Sequence, residues 1–341
     1  MQFERIDASS LQWQEILSHY RDKMLYQTPA WLAFLAQTQG GEIVRAALKD
    51  GRETVGHFSG MLIHNFGVRV LGSPFPGWTT SYMGINLRPG ISRREALVAL
   101  RRFAFADLGC VHLEIMDRYL TTADLGDDCE FDAYEGFEVD LSASEDDLFK
   151  AMASPCQRCI RKAVRSGVSI RQATDETFAD DYYDQLREVF AKQGLIPTYS
   201  IERVRALLRH LLPTGDLLLL RAISAEGHCI ATAILPGKFN HAFFWGGASR
   251  REHQILRPNE LIMWEAMKIW KERGIRFLDM GGRGDYKRKY GGVPISVPWV
   301  RSSRYPLLSS LRSTAKQLVK MRQRFCGWWQ EGGRTPASSS A

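Results

Sequence analysis

The stretch RPNELIMWEAMKIWKERGIRFLDMGGRGDYKRKYGG, residues 257–292, decides the fold. A proline at its start and a glycine after Arg273 predict a helix over residues 258–273. Residues 276–280 then form a short, buried-looking strand that carries Asp279 near its end, just before two glycines and a basic turn. A helix followed at once by a buried strand is typical of an α/β fold.

The two halves of the chain repeat this order of elements. The first half has a hairpin strand TVGHFSGMLI (54–63) and later a helix before HLEIMD (112–117). The second half has HCIATAIL (228–235) and later a helix before RFLDMG (276–281). The identity between the repeats is weak, so the shared order is the main argument for a duplicated α/β unit.

Composition limits the classes of protein. The 341 residues are 45% hydrophobic and carry a net charge of +7, which suits a globular chain that meets anionic partners. The first ten residues lack the apolar core of a secretory signal, and no apolar run of spanning length occurs, so we expect a cytoplasmic protein. No nucleic-acid-binding motif is present, and no DNA partner is expected.

Six cysteines are too sparse for a disulfide scaffold. Cys156 and Cys159 form one C-x-x-C pair in a predicted helix that runs from residue 143 through Arg165, with a kink expected at Pro155. Structural thiols are favoured there over redox or metal chemistry, and no metal site is expected.

Residues 306–341 form a basic tail that includes Trp328 and Trp329. Two interpretations stay open: an amphipathic helix on an anionic membrane surface at the inner face, or a helix that packs on its own domain. The last ten residues have a composition typical of disorder.

Four segments resemble one family. They are YQTPAWLAFL (26–35), LFKAMASPCQRCIRKAVRSGVSI (148–170), the deciding stretch itself, and its final turn YKRKYGG (286–292). Together they are similar to the FemAB-like and CelD-like (BioF-like) branch of the GNAT acyltransferase superfamily. The resemblance implies two tandem GNAT-like domains, each a mixed twisted sheet flanked by helices. We place them at residues 1–142 and 143–305, with the motif residues in the second.

The resemblance also implies transfer of an acyl group onto an amine. Some members use acetyl-CoA, and the peptidoglycan-bridge members use aminoacyl-tRNA. One departure concerns the donor: ordinary GNAT enzymes have a glycine-rich phosphate-binding turn, whereas HQILRPNEL (253–261) has no glycine. Glycines permit close backbone approach to a pyrophosphate, so CoA binding in the ordinary manner is in question.

Two residues are the catalytic candidates. Asp279, at a strand end beside glycines, could accept a proton or orient an amine, although a carboxylate that only satisfies loop amides is the structural alternative. Lys287 matches the motif lysine of the family. With Arg283, Arg288 and Lys289 it could hold a diphosphate or an oxyanion.

The remaining candidates are assigned to substrate binding. Asn259 could cap the helix that begins near it, and the first-turn amides beside Glu260 would then offer an anion site. Tyr290 flanks Lys287 and is expected to pack rather than react. A basic stripe on the helix before residue 165 could, by resemblance, face a phosphorylated acceptor. The full set assigned to binding is Arg158, Arg161, Lys162, Asn259, Glu260, Arg283, Lys289 and Tyr290. His253 is a weaker candidate base.

The sequence thus predicts an N-acyltransferase. The expected donor is acyl-CoA as co-substrate, without a tightly bound cofactor, and the expected acceptor is an amine of an amino sugar or of a cell-envelope or polysaccharide precursor. One alternative is an aminoacyl-tRNA-dependent peptidoglycan ligase, although no long heptad stretch suggests the helical arm that such ligases often carry. Another alternative is a non-catalytic module that binds glycolipid at the membrane.

Overall fold

A computed structural model describes residues 1–65, 67–126 and 129–305. The tail interpretations for residues 306–341 lie outside these residues. No helix within the described ranges is both long and apolar enough to cross a membrane.

Eight α-helices and fourteen β-strands make up the described part. The helices are α1 Ser10–Ser18, α2 Pro29–Gln39, α3 Arg93–Arg102, α4 Glu145–Ala151, α5 Ser154–Arg165, α6 Phe178–Ala191, α7 Ile201–Leu211 and α8 Pro258–Glu272. The strands are β1 Gln2–Arg5, β2 Glu42–Asp50, β3 Glu53–Asn65, β4 Val68–Ser73, β5 Ile85–Leu87, β6 His112–Met116, β7 Glu130–Asp140, β8 Ser169–Gln172, β9 Leu217–Ile223, β10 Cys229–Lys238, β11 His241–Phe243, β12 Gly246–Ser249, β13 Phe277–Gly282 and β14 Val293–Ser303.

Local sequence explains several helix ends. Thr28 caps α2: its hydroxyl accepts from the amide of Trp31, and Pro29 occupies the first helical position. Gly274, with φ of +78°, follows the end of α8, as the sequence predicts. The helix predicted from residue 143 through Arg165 is instead two helices, α4 and α5, because the chain is extended at Met152. Pro155 lies in the first turn of α5, where a proline needs no hydrogen-bonded amide.

One mixed sheet runs through the whole described chain. Its strand order is β1-β2-β3-β4-β6-β14-β7-β13-β11-β10-β9-β8, with β5 beside β3 and β12 beside β10. Each half contributes one parallel pair, β4 with β6 and β11 with β13, and the pairs between the other strands are antiparallel. The α/β class and the two-part mixed sheet of the sequence prediction are confirmed.

The last strand of each half pairs with the other half. Strand β7 follows β6 in the chain but pairs with β13 and β14, and β14 pairs with both β7 and β6. Backbone hydrogen bonds therefore join the halves at the centre of the sheet. The division at residue 142, which falls just after β7, stays a prediction.

Three apolar cores stabilise this arrangement. One packs β13 and β10 against α5 and α8, and includes Met280 and Trp270. Another packs α3 on the sheet of the first half. The third lies between the halves on the opposite face of the sheet, where Tyr26 and Tyr82 meet Phe243. Burial of these large side chains is the main favourable term for the fold.

Candidate active site

A split in the sheet marks the centre of the second half. Strands β11 and β13 are paired only from His241 with Phe277 to Phe243 with Asp279. The Phe244 amide makes a last bond of 2.7 Å to the Asp279 carbonyl. Strand β12 then pairs with β10, whereas the end of β13 pairs with β7. The two neighbouring strands therefore diverge at Asp279 and leave a gap in the sheet.

A cavity of about 410 Å³ opens at this gap. Its walls come from the separated strands, from the beginning of α8, from the end of α6, and from a 3-10 turn at Asp285–Tyr290. The residues of that turn and of α8 that face the cavity include Asn259, Glu260, Tyr286, Lys287, Lys289 and Tyr290. The structure therefore brings six polar residues of the deciding stretch around one space.

Asp279 lies beneath the gap with no solvent exposure. Its Oδ1 accepts from the Gly281 amide at 2.7 Å, and its Oδ2 accepts from the Tyr82 hydroxyl at 3.1 Å. Burial raises the pKa of this carboxyl from 3.8 to about 6, against the opposing effect of those two hydrogen bonds. Burial thus brings the pKa of Asp279 toward neutral pH.

Lys287 lines the cavity and lies close enough to Asp279 to interact with its charge. Its side chain is buried, and its ammonium donates to the Gly282 carbonyl. Burial lowers the pKa of this lysine, while the nearby Asp279 carboxylate acts in the opposite direction. A half-desolvated cation at the wall of a cavity interacts strongly with any negative charge that develops there.

Lys289 and Glu260 form an ion pair across the cavity, with Nζ and Oε1 2.8 Å apart. The Lys289 ammonium also lies 4.9 Å from the centre of the Tyr290 ring. Tyr290 is buried, and burial raises the pKa of its hydroxyl well above the usual range, so it stays neutral. These three side chains join the start of α8 to the basic turn and fix the shape of the cavity.

Asn259 does not cap α8, contrary to the sequence prediction. The helix begins at Pro258 and its N-cap is Arg257, which has a left-handed backbone with φ of +61°. Asn259 is therefore one residue inside the helix, where its amide donates to the Ser249 hydroxyl at 3.1 Å. It ties α8 to β12 along the cavity wall.

The basic stripe of α5 does not reach the cavity. Arg158 and Arg161 are exposed and Lys162 is half-buried, and none of the three lines it. The guanidinium of Arg161 lies over the Phe149 ring, 5.1 Å from its centre. The stripe is an outward-facing surface in this structure.

Arg283 also lies apart from Lys287. It pairs with Glu135 at 3.1 Å and lines a separate, open depression of about 610 Å³ with Arg288 on the other side of the turn. His253 is half-buried in the loop before α8, where it pairs with its neighbour Glu252. It lines neither the cavity nor the depression.

Three residues of this site were not predicted. Tyr82, Arg118 and Glu138 lie next to Asp279 on the face of the sheet that packs against the first half. They are 197, 161 and 141 residues before Asp279 in the chain, and no local pattern marks them. Alternation along β7 places Glu138 on the face opposite to Phe137 and Val139, which the sequence pattern assigns to solvent.

Neither Cys156 nor Cys159 of α5 lines the cavity. Cys156 and Cys159 are free, and burial raises the pKa of the Cys156 thiol to about 11. Within residues 1–65, 67–126 and 129–305, no group of histidine, cysteine, aspartate and glutamate side chains is arranged to hold a metal ion.

Comparison with known proteins agrees with this geometry. Residues 151–290, which hold most of the second half, match the family model for the acetyltransferase (GNAT) domain. No curated protein shows significant sequence similarity to the chain.

Solved structures extend the match to the whole chain. FemX superposes with a TM-score of 0.72 at 14% identity, over 90% of this chain and 99% of FemX. A tandem GNAT protein from the clavulanic acid biosynthesis pathway gives a TM-score of 0.52 at 13% identity, over 89% and 99% of the two chains. A C-terminal domain assigned to a lysylphosphatidylglycerol synthetase of Agrobacterium fabrum gives 0.53 at 11% identity, over 91% and 98%. Residues 151–290 therefore match the acetyltransferase (GNAT) domain, and the chain as a whole has the fold of FemX and of the tandem GNAT protein.

Proposed function

We propose that the cavity at the sheet split binds acyl-CoA and that the enzyme transfers the acyl group to the amine of an amino sugar or of a related cell-envelope precursor. The observation that carries this proposal is the position of Lys287, a buried cation at the wall of the cavity and close to the buried Asp279. GNAT enzymes use acyl-CoA as co-substrate without a tightly bound cofactor, and the cavity lies at the sheet split of the matched domain.

The reaction forms a C–N bond, breaks the C–S bond of the thioester, and moves one proton from the amine through a base to the sulfur. The amine nitrogen attacks the thioester carbonyl, and the carbonyl oxygen becomes an oxyanion, which the ammonium of Lys287 stabilises. Collapse of this intermediate breaks the C–S bond and releases the thiolate. Asp279, ionised above a pKa of about 6, accepts the amine proton, which then passes to the departing sulfur.

Charged side chains at the cavity suit the donor. The loop before α8 lacks glycines, so close backbone approach to a diphosphate is restricted there. Lys289 of the basic turn lies beside the first turn of α8 instead, where it pairs with Glu260. In our proposal Lys289 takes the place of the missing glycine-rich turn as the main contact for the donor phosphates, with Asn259 and Tyr290 as walls.

Aromatic side chains support a saccharide acceptor. Tyr134 and Trp299 are half-buried and pack at the edge of the core between the halves, which also contains Tyr82. Tyr134 lies two positions from Gly136 on β7, and its hydroxyl is near the Gly282 backbone. Flat, amphipathic rings beside a reactive carboxylate are typical of sites for ring-shaped polar ligands. We propose that the acceptor approaches Asp279 from this face, with the exposed Arg283 as a contact for a phosphorylated group.

Replacing Lys287 tests this proposal. Lys287→Ala is expected to lower the rate of transfer by roughly 10²- to 10³-fold, because the oxyanion loses its buried cation. The rate is measured as release of free CoA thiol from acetyl-CoA and longer acyl-CoAs with a panel of amino sugars. Lys150→Ala on α4, an exposed lysine outside the cavity, is the matched control and is expected to keep the wild-type rate. A folded Lys287→Ala protein with the wild-type rate would contradict the role of Lys287.

A further inference from the structure

A chain of hydrogen bonds reaches Asp279 from the first half of the protein. The Tyr82 hydroxyl donates to Asp279 Oδ2 at 3.1 Å, and Arg118 Nη1 donates to that hydroxyl at 2.9 Å. Arg118 is held in turn by Glu138, with Nη2 and Oε1 2.7 Å apart and a second contact of 2.5 Å from Nη1 to Oε2. Tyr82 has no exposure and Glu138 is buried.

The donor and acceptor roles in this chain are fixed by chemistry. A guanidinium only donates hydrogen bonds, so the Tyr82 oxygen must accept from Arg118. The single proton of the Tyr82 hydroxyl is then directed to Asp279. Burial also raises the pKa of Tyr82 well above its usual range, so the hydroxyl keeps this proton. The bidentate pair with Glu138 holds the guanidinium in one orientation.

We propose that Tyr82 and Arg118 are positioning residues through which the first half orients Asp279 and sets its proton affinity, so that one site is built from both halves. The inference rests on the proposed function for the role given to Asp279. The two residues act through Asp279 and do not line the donor cavity. Without them, a buried carboxylate would have only the Gly281 amide to fix its plane.

The groups that face Asp279 come from every element packed around it. Tyr82 and Arg118 come from the loops after β4 and β6, and Tyr26 comes from the turn before α2. Strand β7 contributes Tyr134 and Glu138, and the basic turn contributes Lys287. His241 of β11 is buried beside Arg118. Burial, with a smaller effect of the Arg118 charge, lowers the pKa of the histidine to about 3, so it stays neutral. Among the described residues, Arg118, Glu138 and Lys287 are the charged side chains of this group.

This arrangement predicts opposite effects for two substitutions. Tyr82→Phe removes a hydrogen bond that stabilises the ionised carboxylate, so the pKa of Asp279 should rise. Glu138→Gln removes a nearby negative charge and leaves that of Arg118 unbalanced, so the pKa of Asp279 should fall. A purely structural role for these residues would not give shifts of opposite sign.

Carbon-13 NMR of protein labelled at the aspartate carboxyl groups tests the proposal in the absence of substrate. The Asp279 resonance is identified by its loss in Asp279→Asn. We expect a pKa shift of about half a unit or more upward in Tyr82→Phe and downward in Glu138→Gln, the size typical of one hydrogen bond or one screened charge. Tyr183→Phe, a buried-edge tyrosine that donates to the Tyr199 carbonyl, is the control and should leave the pKa unchanged.

Shifts of the same sign, or no shift in folded variants, would overturn the proposal. The two variants are independent, so if one fails to fold by near-UV circular dichroism, the sign in the other still decides. The titration needs no acyl donor or acceptor. Opposite shifts in a protein that shows no acyl transfer would therefore support the network and refute the proposed function. When transfer is found, Tyr82→Phe should lower kcat and leave the affinity for acetyl-CoA unchanged.

Discussion

Buried charge is a feature that Asp279 and Lys287, to which we assign the chemistry, share with structural residues such as Asp117. Asp279 and Lys287 are among the few ionisable side chains with less than a tenth of their surface exposed. Burying a charge is costly unless hydrogen bonds or opposite charges compensate it, and here both residues have such partners. Such arrangements cluster at functional sites because they shift proton affinities toward neutral pH.

Gly84 in the first half allows a test of packing around a single residue. Gly84 has φ of +75°, and a Cβ added to it would lie 2.7 Å from the Asp117 carboxyl carbon. Gly84→Ala combines a strained backbone with a clash against a fully buried side chain, so we expect a loss of about 2 to 4 kcal/mol in the free energy of unfolding. Urea denaturation measures this loss.

Gly51→Ala is the matched control for Gly84. Gly51 also has a positive φ, of +58°, but nothing lies within 4 Å of an added Cβ. Only the cost of the left-handed backbone then applies, so we expect a loss of about 1 kcal/mol in the free energy of unfolding. Equal losses in the two variants would show that contact with Asp117 does not constrain this turn.

Sequence patterns predict residues that lie close together in the chain. Asp279, Lys287, Lys289 and Tyr290 fall within one segment, and the structure brings the last three to one cavity. Tyr82 could not be predicted, because its partner is 197 residues away and only tertiary folding joins them. The prediction that Asn259 caps α8 was wrong, because Pro258 takes the first helical position and Arg257, in a left-handed conformation, is the N-cap.

At the scale of elements, strand exchange connects the halves. Strand β14 lies between β6 and β7, and β7 lies between β14 and β13. Strand β7 does not pair with β6, which precedes it in the chain, because β14 lies between them. Strand β14 does not pair with β13, because β7 lies between them. The periodicity of each strand could be predicted from the sequence, whereas its neighbours could not, because strand pairing is set by contacts distant in the chain.

Separated halves should therefore fail to fold alone. Residues 1–142 produced by themselves would leave β6 without β14 and leave β7 without its two neighbours. We expect no cooperative unfolding transition in this fragment by circular dichroism, because unpaired strand edges and an exposed core favour association. Coexpression with residues 143–305 should restore the transition. A monomeric 1–142 fragment that unfolds cooperatively would show that the division at residue 142 separates independent domains.

At the scale of the whole molecule, the two halves are similar in order but not in chemistry. In the first half, the acidic residue after the parallel strand is Asp117, and Arg93 at the start of α3 binds it at 2.7 Å and also pairs with Asp22. Asp117 further accepts from the amides of Ile85 and Tyr119. This carboxylate is thus engaged by Arg93 and by two backbone amides. Asp279 of the second half accepts from one amide and from Tyr82, and it lies close to Lys287, which lines the cavity.

The order of elements was enough to predict an α/β fold with two similar parts, and the resemblance gave the acyltransferase class. The sequence did not predict that both parts share one sheet, or that groups from both parts meet at Asp279. Both findings come from the three-dimensional structure. The outward position of Arg158 and Arg161 has a similar cause: helical spacing places them on one face but does not say what that face meets.

Isothermal titration calorimetry with acetyl-CoA and longer acyl-CoAs tests the central claim, that the second half alone holds the acyl donor. The account predicts saturable binding with one molecule per chain, and weaker binding in Lys289→Ala because the donor phosphates lose their cation. Binding of two acyl-CoA molecules per chain would contradict the claim that only the second half binds the donor. No binding of any acyl-CoA would contradict the proposed donor and direct attention to aminoacyl-tRNA.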